Sequence, residues 1–199
     1  TAKGTFKRID PYAREVTSSV GNAIVHDPSF DWEGDDFHLA RRNELVIYEL
    51  HVGTFNDEED DNLPGKFASV SARLGHLKKL GVNAIQIMPI AQFAGKWSWG
   101  YNPAHIFSVE LAYGGSLAFK KFVKRAHSHG IGVILDVVYN HFGPDGAYHS
   151  AYSDAYFSAT HITEWGAALN FDGTDSAPVR EFVTENAAHW IREYHFDGL

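Results

Sequence analysis

A chain of 199 residues, 44% hydrophobic and 14% aromatic, carries enough apolar surface for one sizeable core, which excludes an intrinsically disordered protein. Its 17 Lys and Arg against 25 Asp and Glu give a formal charge of -8 without any basic cluster, so nucleic acid is excluded as a partner and neutral ligands fit better. No stretch reaches the ~18 apolar residues that span a bilayer, no signal peptide opens the chain, and there is no cysteine for a disulfide or thiolate site, so no membrane partner and a cytoplasmic setting are expected, although an upstream signal would change the latter.

Residues 1–43 show no clear period and read as a connector, with two Asp-Pro turn signals and Tyr12, Phe30 and Trp32 available to pack on a neighbour. At Leu45 the pattern changes to "LVIYEL", a short apolar run of strand formers. A polar loop follows that contains the acidic run Asp57 to Asp61, read as solvated, with calcium binding as the alternative. Phe67, Val70, Leu74, Leu77 and Leu80 recur at helical spacing and Gly81 stops that helix; Ala84 to Met88 form a second strand ended by Pro89.

After a long aromatic loop, residues 116–129 make another helix, with Leu117, Phe122, Val123 and Ala126 inward and Lys120, Lys121, Lys124 and Arg125 outward. "IGVILDVV" is a third strand, apolar as expected when both faces are buried. A second long loop leads to Pro178 in a helix first turn, and Val179, Phe182, Val183, Ala187, Trp190, Ile191 and Tyr194 continue its apolar stripe before Phe196 opens a fourth strand. This alternation of strand and helix indicates a parallel sheet. A doubly wound nucleotide fold needs a Gly-rich turn after its first strand, and "LHVGTFNDEEDD" is not one. A (β/α)8 barrel collects its functional residues just after its strands, where this sequence places "ELHVGTF", "PIAQFAGKWSWGYNP" and "DVVYNHFGPDG", so the barrel is favoured.

Asp136 breaks into an apolar strand at its C-terminal end, a costly place for an acid without a partner. It either caps loop amides or serves a site. Trp97, Trp99 and Tyr101 gather after the second strand at the same rim, and flat aromatic faces suit sugar rings. His51, His105 and His141 fall near the same loops, each either a satisfied core group or a ligand contact. Zinc is disfavoured, because no HExxH spacing exists and "HSH" at 127–129 sits on a helix end away from the rim.

"DVVYNH", Asp136 to His141, resembles the first signature region of the α-amylase superfamily, glycoside hydrolase family 13. "WGYNPAHIF", "AYGG" and "WGAALNFDG" are similar to its branching-enzyme, isoamylase and malto-oligosyltrehalose trehalohydrolase branch. The resemblance implies an α/β fold: residues 44–199 as the first four strands of a catalytic TIM barrel, and residues 1–43, with "DPYAR", as the exit from an amino-terminal β-sandwich domain. It further implies that Tyr101 stacks on a glucose ring, that His141 hydrogen-bonds its hydroxyls, and that Asp136 orients an arginine of the next signature region. Trp99 and His105, with Trp97 and Asn102, become cleft walls; Asn140 becomes a structural residue or, as in classical amylases, a calcium ligand, no cofactor being required otherwise.

Such enzymes use a retaining mechanism with two carboxyls roughly 5 to 5.5 Å apart. The resemblance places the nucleophile, the acid/base and a third acid beyond Leu199, since "FDGL" is followed in the family by Arg-x-Asp. The expected activity is therefore hydrolysis of α-1,4-glucosidic links in starch- or glycogen-like α-glucans by a longer protein, with this stretch inactive by itself. A 1,4-α-glucan branching transferase is the alternative, and a non-catalytic glucan-binding relative the second.

Overall fold

The computed structural model describes residues 7–56 and 62–199, so the acidic run 57–61 lies outside the described residues. In chain order the elements are β1 (Ile47–Leu50), a single turn α1 (Val52–Phe55), α2 (Phe67–Ser71), α3 (Leu74–Lys79), β2 (Ala84–Ile87), β3 (Ala91–Phe93) and β4 (Pro103–Val109). They continue with α4 (Gly115–Ser128), β5 (Gly132–Leu135), β6 (Phe157–Thr163), β7 (Gly166–Leu169) and α5 (Ser176–Tyr194). β1, β2 and β5 pair in parallel in that order, from Ile47↔Ala84↔Gly132 to Leu50↔Ile87↔Leu135. Gly198 adds a parallel bridge to Ile134, so the expected fourth strand is present as one bridge beside β5. Strands laid down one after another on the same side are the wall of a barrel; a doubly wound sheet reverses its order at a switch point.

Alternation along these strands sorts their two faces. Leu50, Ile85, Ile87, Val133 and Leu135 enter the main core, against Phe67, Leu74, Leu77, Phe119, Phe122 and Val123 from the helices. Ile47, Glu49, Gln86 and Ile134 alternate with them and face the other side, where the amide of Gln86 donates to Glu49 at 3.4 Å.

Several expected placements are corrected. The first helical stretch is two helices broken at Ala72 and Arg73, and it ends before Leu80, which caps α3 and is 60% exposed. In α4 the inward stripe runs through Ser116, Phe119, Lys120, Val123 and His127, which turns Leu117 outward and buries Lys120. In α5 the inward positions include Asn186 and His189, and Ile191 is turned out. Asn186 has partners on both its side-chain atoms there: its amide donates to the Ile106 carbonyl at 2.8 Å, and its oxygen accepts from Tyr139 and Trp190.

Both long loops also hold unforeseen hairpins. β3 pairs antiparallel with β4, and β6 with β7. The first of these depends on Glu110, whose buried carboxylate accepts from Gln92, from the Phe93 amide and from the Ala112 amide at 2.7 to 3.0 Å. Burial raises its pKa, and those donors hold it back.

Among its described residues the connector contains no strand beyond a single bridge, Val16↔Ala23, and it is fastened by side chains. Ile9, Ala13 and Val16 are buried, and the Tyr12 ring lies against Phe107 and Phe182. Farther along, Asp35 receives the Nδ1 atoms of His127 (2.7 Å) and His195 (2.8 Å), and His127 Nε2 lies 3.0 Å from Asp197. Asp197 also accepts the Val133 amide at 2.7 Å, and Phe37 and Trp32 stack on the two imidazoles. Gly132 permits this closeness, since a Cβ there would sit 2.4 Å from Leu39. The arrangement ties connector, α4, the start of β5 and the fourth-strand position together at the end of the sheet opposite the site described below.

Lys120 is the other fastening. Its ammonium contacts Glu193 and donates to the Pro28 carbonyl at 2.8 Å, while His26 lies 3.2 Å from the same glutamate. Removing one member strands a buried charge, so Lys120→Ala should cost about 3 kcal/mol in urea unfolding. The exposed Lys121→Ala should stay within about 0.5 kcal/mol, and equal costs would show that the ion pair does not matter.

Candidate functional site

Backbone bonds carry the parallel ladder one step past the strands: Met88 donates to Leu50 at 3.0 Å and Asp136 to Ile87 at 2.9 Å. Asp136 is thereby fixed, half-buried, at the C-terminal edge of the sheet. Its Oδ2 accepts the hydroxyl proton of Tyr101 at 2.6 Å. That bond, with burial and the charges of Asp136 and Glu49, pushes the phenol up to about 12, so Tyr101 is a neutral donor at any ordinary pH.

Tyr101 sits on the loop between β3 and β4, and the fold of that loop is enforced. Gly100 has φ +88°, and a Cβ there would fall 2.1 Å from the Pro89 carbonyl, so only glycine lets the loop lie on the end of β2. Ser98 Oγ accepts the Gly100 amide at 2.9 Å and contacts the Asn102 side chain. The Ser98 carbonyl is gripped from below, with His51 Nε2 2.8 Å away and the Tyr113 hydroxyl donating at 3.1 Å.

Trp99, Tyr101, Val137, Val138, Asn140, His141 and Trp165 line a cavity of about 440 Å³, in the range of small-molecule sites. Trp99 is 71% exposed and Trp165 66%, large rings presented to solvent at the mouth. His141 Nε2 lies 2.9 Å from the Tyr101 carbonyl and Nδ1 3.0 Å from Asn140 Oδ1, and Trp165 stacks on the ring at 5.5 Å and 21°. Both ring nitrogens thus lie on protein oxygens, and the imidazole braces one wall against the other. The surface offers aromatic faces with a few fixed polar atoms and no Lys or Arg in its lining, which suits a neutral, polyhydroxylated ligand.

Of the residues singled out in the sequence, Tyr101, Trp99, Asn140 and His141 meet in this cleft, with Asp136 beneath Tyr101. His51 holds the rim loop from behind. His105 is not a cleft wall: it lies on β4, 2% exposed, with Nε2 donating to the Ser19 carbonyl at 2.9 Å. Strand alternation aims it at the connector instead of the rim. Trp165 was not foreseen as a site residue, although "TEWGA" could have pointed to a tight hairpin that exposes its tryptophan. Among the described residues no three His, Cys, Asp or Glu side chains converge as metal ligands, and Asn140 Oδ1 faces His141 Nδ1 at 3.0 Å. Nor is any helix of the described residues long and apolar enough to cross a membrane.

Known proteins with this architecture are numerous. The chain is 46% identical over 191 residues to the malto-oligosyltrehalose trehalohydrolase of Saccharolobus solfataricus, covering 96% of this chain and 33% of that protein. The enzyme of the same description from Deinococcus radiodurans is 43% identical over 192 residues, covering 96% and 30%. A 1,4-alpha-glucan branching enzyme of Nitrosomonas europaea is 32% identical, covering 96% and 28%. The chain therefore spans about a third of the length of the curated relatives it matches. In solved structures it superposes on a protein of Salmonella typhimurium provisionally assigned as an alpha amylase, with TM-score 0.89 and 37% identity over 96% of this chain and 32% of that one. A Paenibacillus barengoltzii pullulanase, solved with maltohexaose and alpha-cyclodextrin, gives TM-score 0.81 and 26% identity over 96% and 36%. The family described as "Alpha amylase, catalytic domain" matches residues 49–197, and the chain belongs to that family, glycoside hydrolase family 13, whose domain is of the TIM-barrel type.

Proposed function

We propose that these residues form the first four strands of the barrel of a retaining, α-glucan-active hydrolase of the trehalohydrolase kind, which cleaves the α-1,4 link that joins a maltooligosaccharide to a terminal trehalose. The aromatic cleft built on Tyr101 and Asp136 carries this reading, because it offers stacking faces and neutral hydrogen-bonding groups at the C-terminal edge of a parallel barrel wall. The trehalohydrolases at 46% and 43% identity support it over the branching enzyme at 32%, which keeps transfer to a sugar hydroxyl as the second reading.

In this scheme Tyr101 stacks on the glucose ring beside the bond to be cleaved, and Asp136 fixes the tilt of the phenol by accepting its proton. Trp99 and Trp165 flank the chain of sugars, and His141 holds the rim loop and the loop after β5 at one separation. Flat walls that pre-position the ring lower the entropy cost of reaching the transition state. The two carboxyls of the retaining mechanism are assigned to the part of the protein beyond Leu199, so this chain supplies the binding wall and the longer protein the chemistry.

Incubating the full-length protein with malto-oligosyltrehalose should release free trehalose and a shortened maltooligosaccharide, resolved by chromatography. New α-1,6 branch points in amylose without trehalose release would establish the transferase, and binding without turnover a non-catalytic relative. In the full-length enzyme Tyr101→Ala should lower kcat/KM by about 1 to 3 kcal/mol, roughly 5- to 150-fold. An unchanged kcat/KM would remove Tyr101 from the site.

A further inference from the structure

Among the described residues, the buried side-chain nitrogens without a hydrogen-bond partner belong to two histidines: Nδ1 of His105 and both ring nitrogens of His149. Each residue is 2% exposed. His105 spends its N–H on the Ser19 carbonyl, which leaves the lone pair on Nδ1. His149 lies flat on Phe142, with centroids 3.7 Å apart and planes within 6°, and is edged by Tyr156 and Phe182. Phe142 adjoins His141, so this aromatic box anchors the loop that supplies one wall of the cleft.

The ionisable groups around the box are few. His105 faces it from β4 and Tyr156 from the turn before β6; α5 contributes Phe182. The nearby acids Asp10, Glu181 and Glu185 act on Tyr12, and Asp10 also on Tyr156, but none acts on His149. Among the described residues no carboxylate hydrogen-bonds either ring nitrogen, so an imidazolium here would lack a paired counter-ion.

We propose that His149 is a positioning residue for the cleft loop and that its box is an acid-operated latch. As a neutral ring it packs on Phe142 and keeps His141 in the cleft wall; once protonated it cannot remain in the box beside His105, and the loop opens. Burial first, and His105 second, bring His149 from the ordinary 6.5 down to about 3, and burial lowers His105 in the same direction. The open state therefore binds more protons than the closed one below 6.5, so closure is fully favoured above that pH and weakens steadily as pH falls towards about 3.

The test is hydrogen exchange of residues 141–156 in the full-length protein from neutral to acid pH, corrected for the intrinsic rate. Exchange should rise at least about tenfold per pH unit below the ordinary histidine pKa while the β1–β2–β5 sheet stays protected. His149→Phe keeps the stack on Phe142 and cannot titrate, so the rise should flatten to the shallower one that His105 alone supports. His149→Gln, neutral but without the ring, should flatten the rise likewise from a lower starting protection, and it reads the effect should the phenylalanine misfit. A wild-type segment with no rise, or variants whose exchange rises as steeply as wild type, would overturn the latch. Exchange needs no substrate, so failure of the latch and failure of the hydrolase reading are told apart by this measurement and the trehalose assay.

Discussion

The register of the parallel sheet is the constraint on which the site depends. Since β1, β2 and β5 start level, with Ile47, Ala84 and Gly132 side by side, they also finish level, and the ladder continues into Met88 and Asp136 at the same height. A slip of one residue would turn Asp136 toward the helices and leave an unpaired acid in the apolar core. In the observed register its carboxylate meets the Tyr101 phenol, which satisfies it. The aromatic loop has a few internal bonds, those that the Ser98 hydroxyl makes with Gly100 and Asn102, but no ladder of its own. It is shaped by contacts to things the sheet has already placed: Gly100 against Pro89, and Ser98 against His51 and Tyr113.

Opposite the site, buried charge is used to fasten the chain. A connector without regular structure has no backbone ladder to hold it, and its apolar contribution to the core is small. Asp35 and Asp197 clamp His127, and Lys120 clamps Glu193, so polar pairing takes over where apolar area is scarce. Such pairs add little net stability compared with well-packed apolar groups, but each is costly to break, so they discriminate sharply between the correct docking of the connector and any other.

Periodicity made the parallel strands, the placing of the helices and the rim loops legible, because burial on both sheet faces and on one helix stripe leaves a direct trace in composition. It failed where polar residues took inward positions. Lys120, Asn186 and His189 are buried because specific partners satisfy them, and each shifts its helix so that Leu117 or Ile191 faces out. The two hairpins were hidden for a related reason: β4 is buried along its whole length and so lacks alternation, and β6 and β7 are largely exposed. At the site, Asp136 was visible as an acid interrupting an apolar strand and Tyr101 as one of a cluster of rim aromatics, while the roles of Tyr101 and His141 came from the family resemblance. His105 looked equivalent, and only strand direction shows that it points the other way.

Among the buried histidines, His127 on one side and His105, His149 and His189 on the other answer pH with opposite sign. For His127, burial alone would lower the pKa, but the hydrogen bonds its ring donates to Asp197 and Asp35, with the charges of both carboxylates, outweigh it and raise the value above 6.5. The stability it lends is therefore complete below 6.5 and is lost as pH climbs through the folded-state value. His105 and His149 have no carboxylate to offset burial, so their contribution is complete above 6.5 and is lost on acidification. The same side chain thus makes the connector end of the sheet sensitive to alkali and the cleft end sensitive to acid. What sets His127 apart is the pair of carboxylates within hydrogen-bonding distance of its ring.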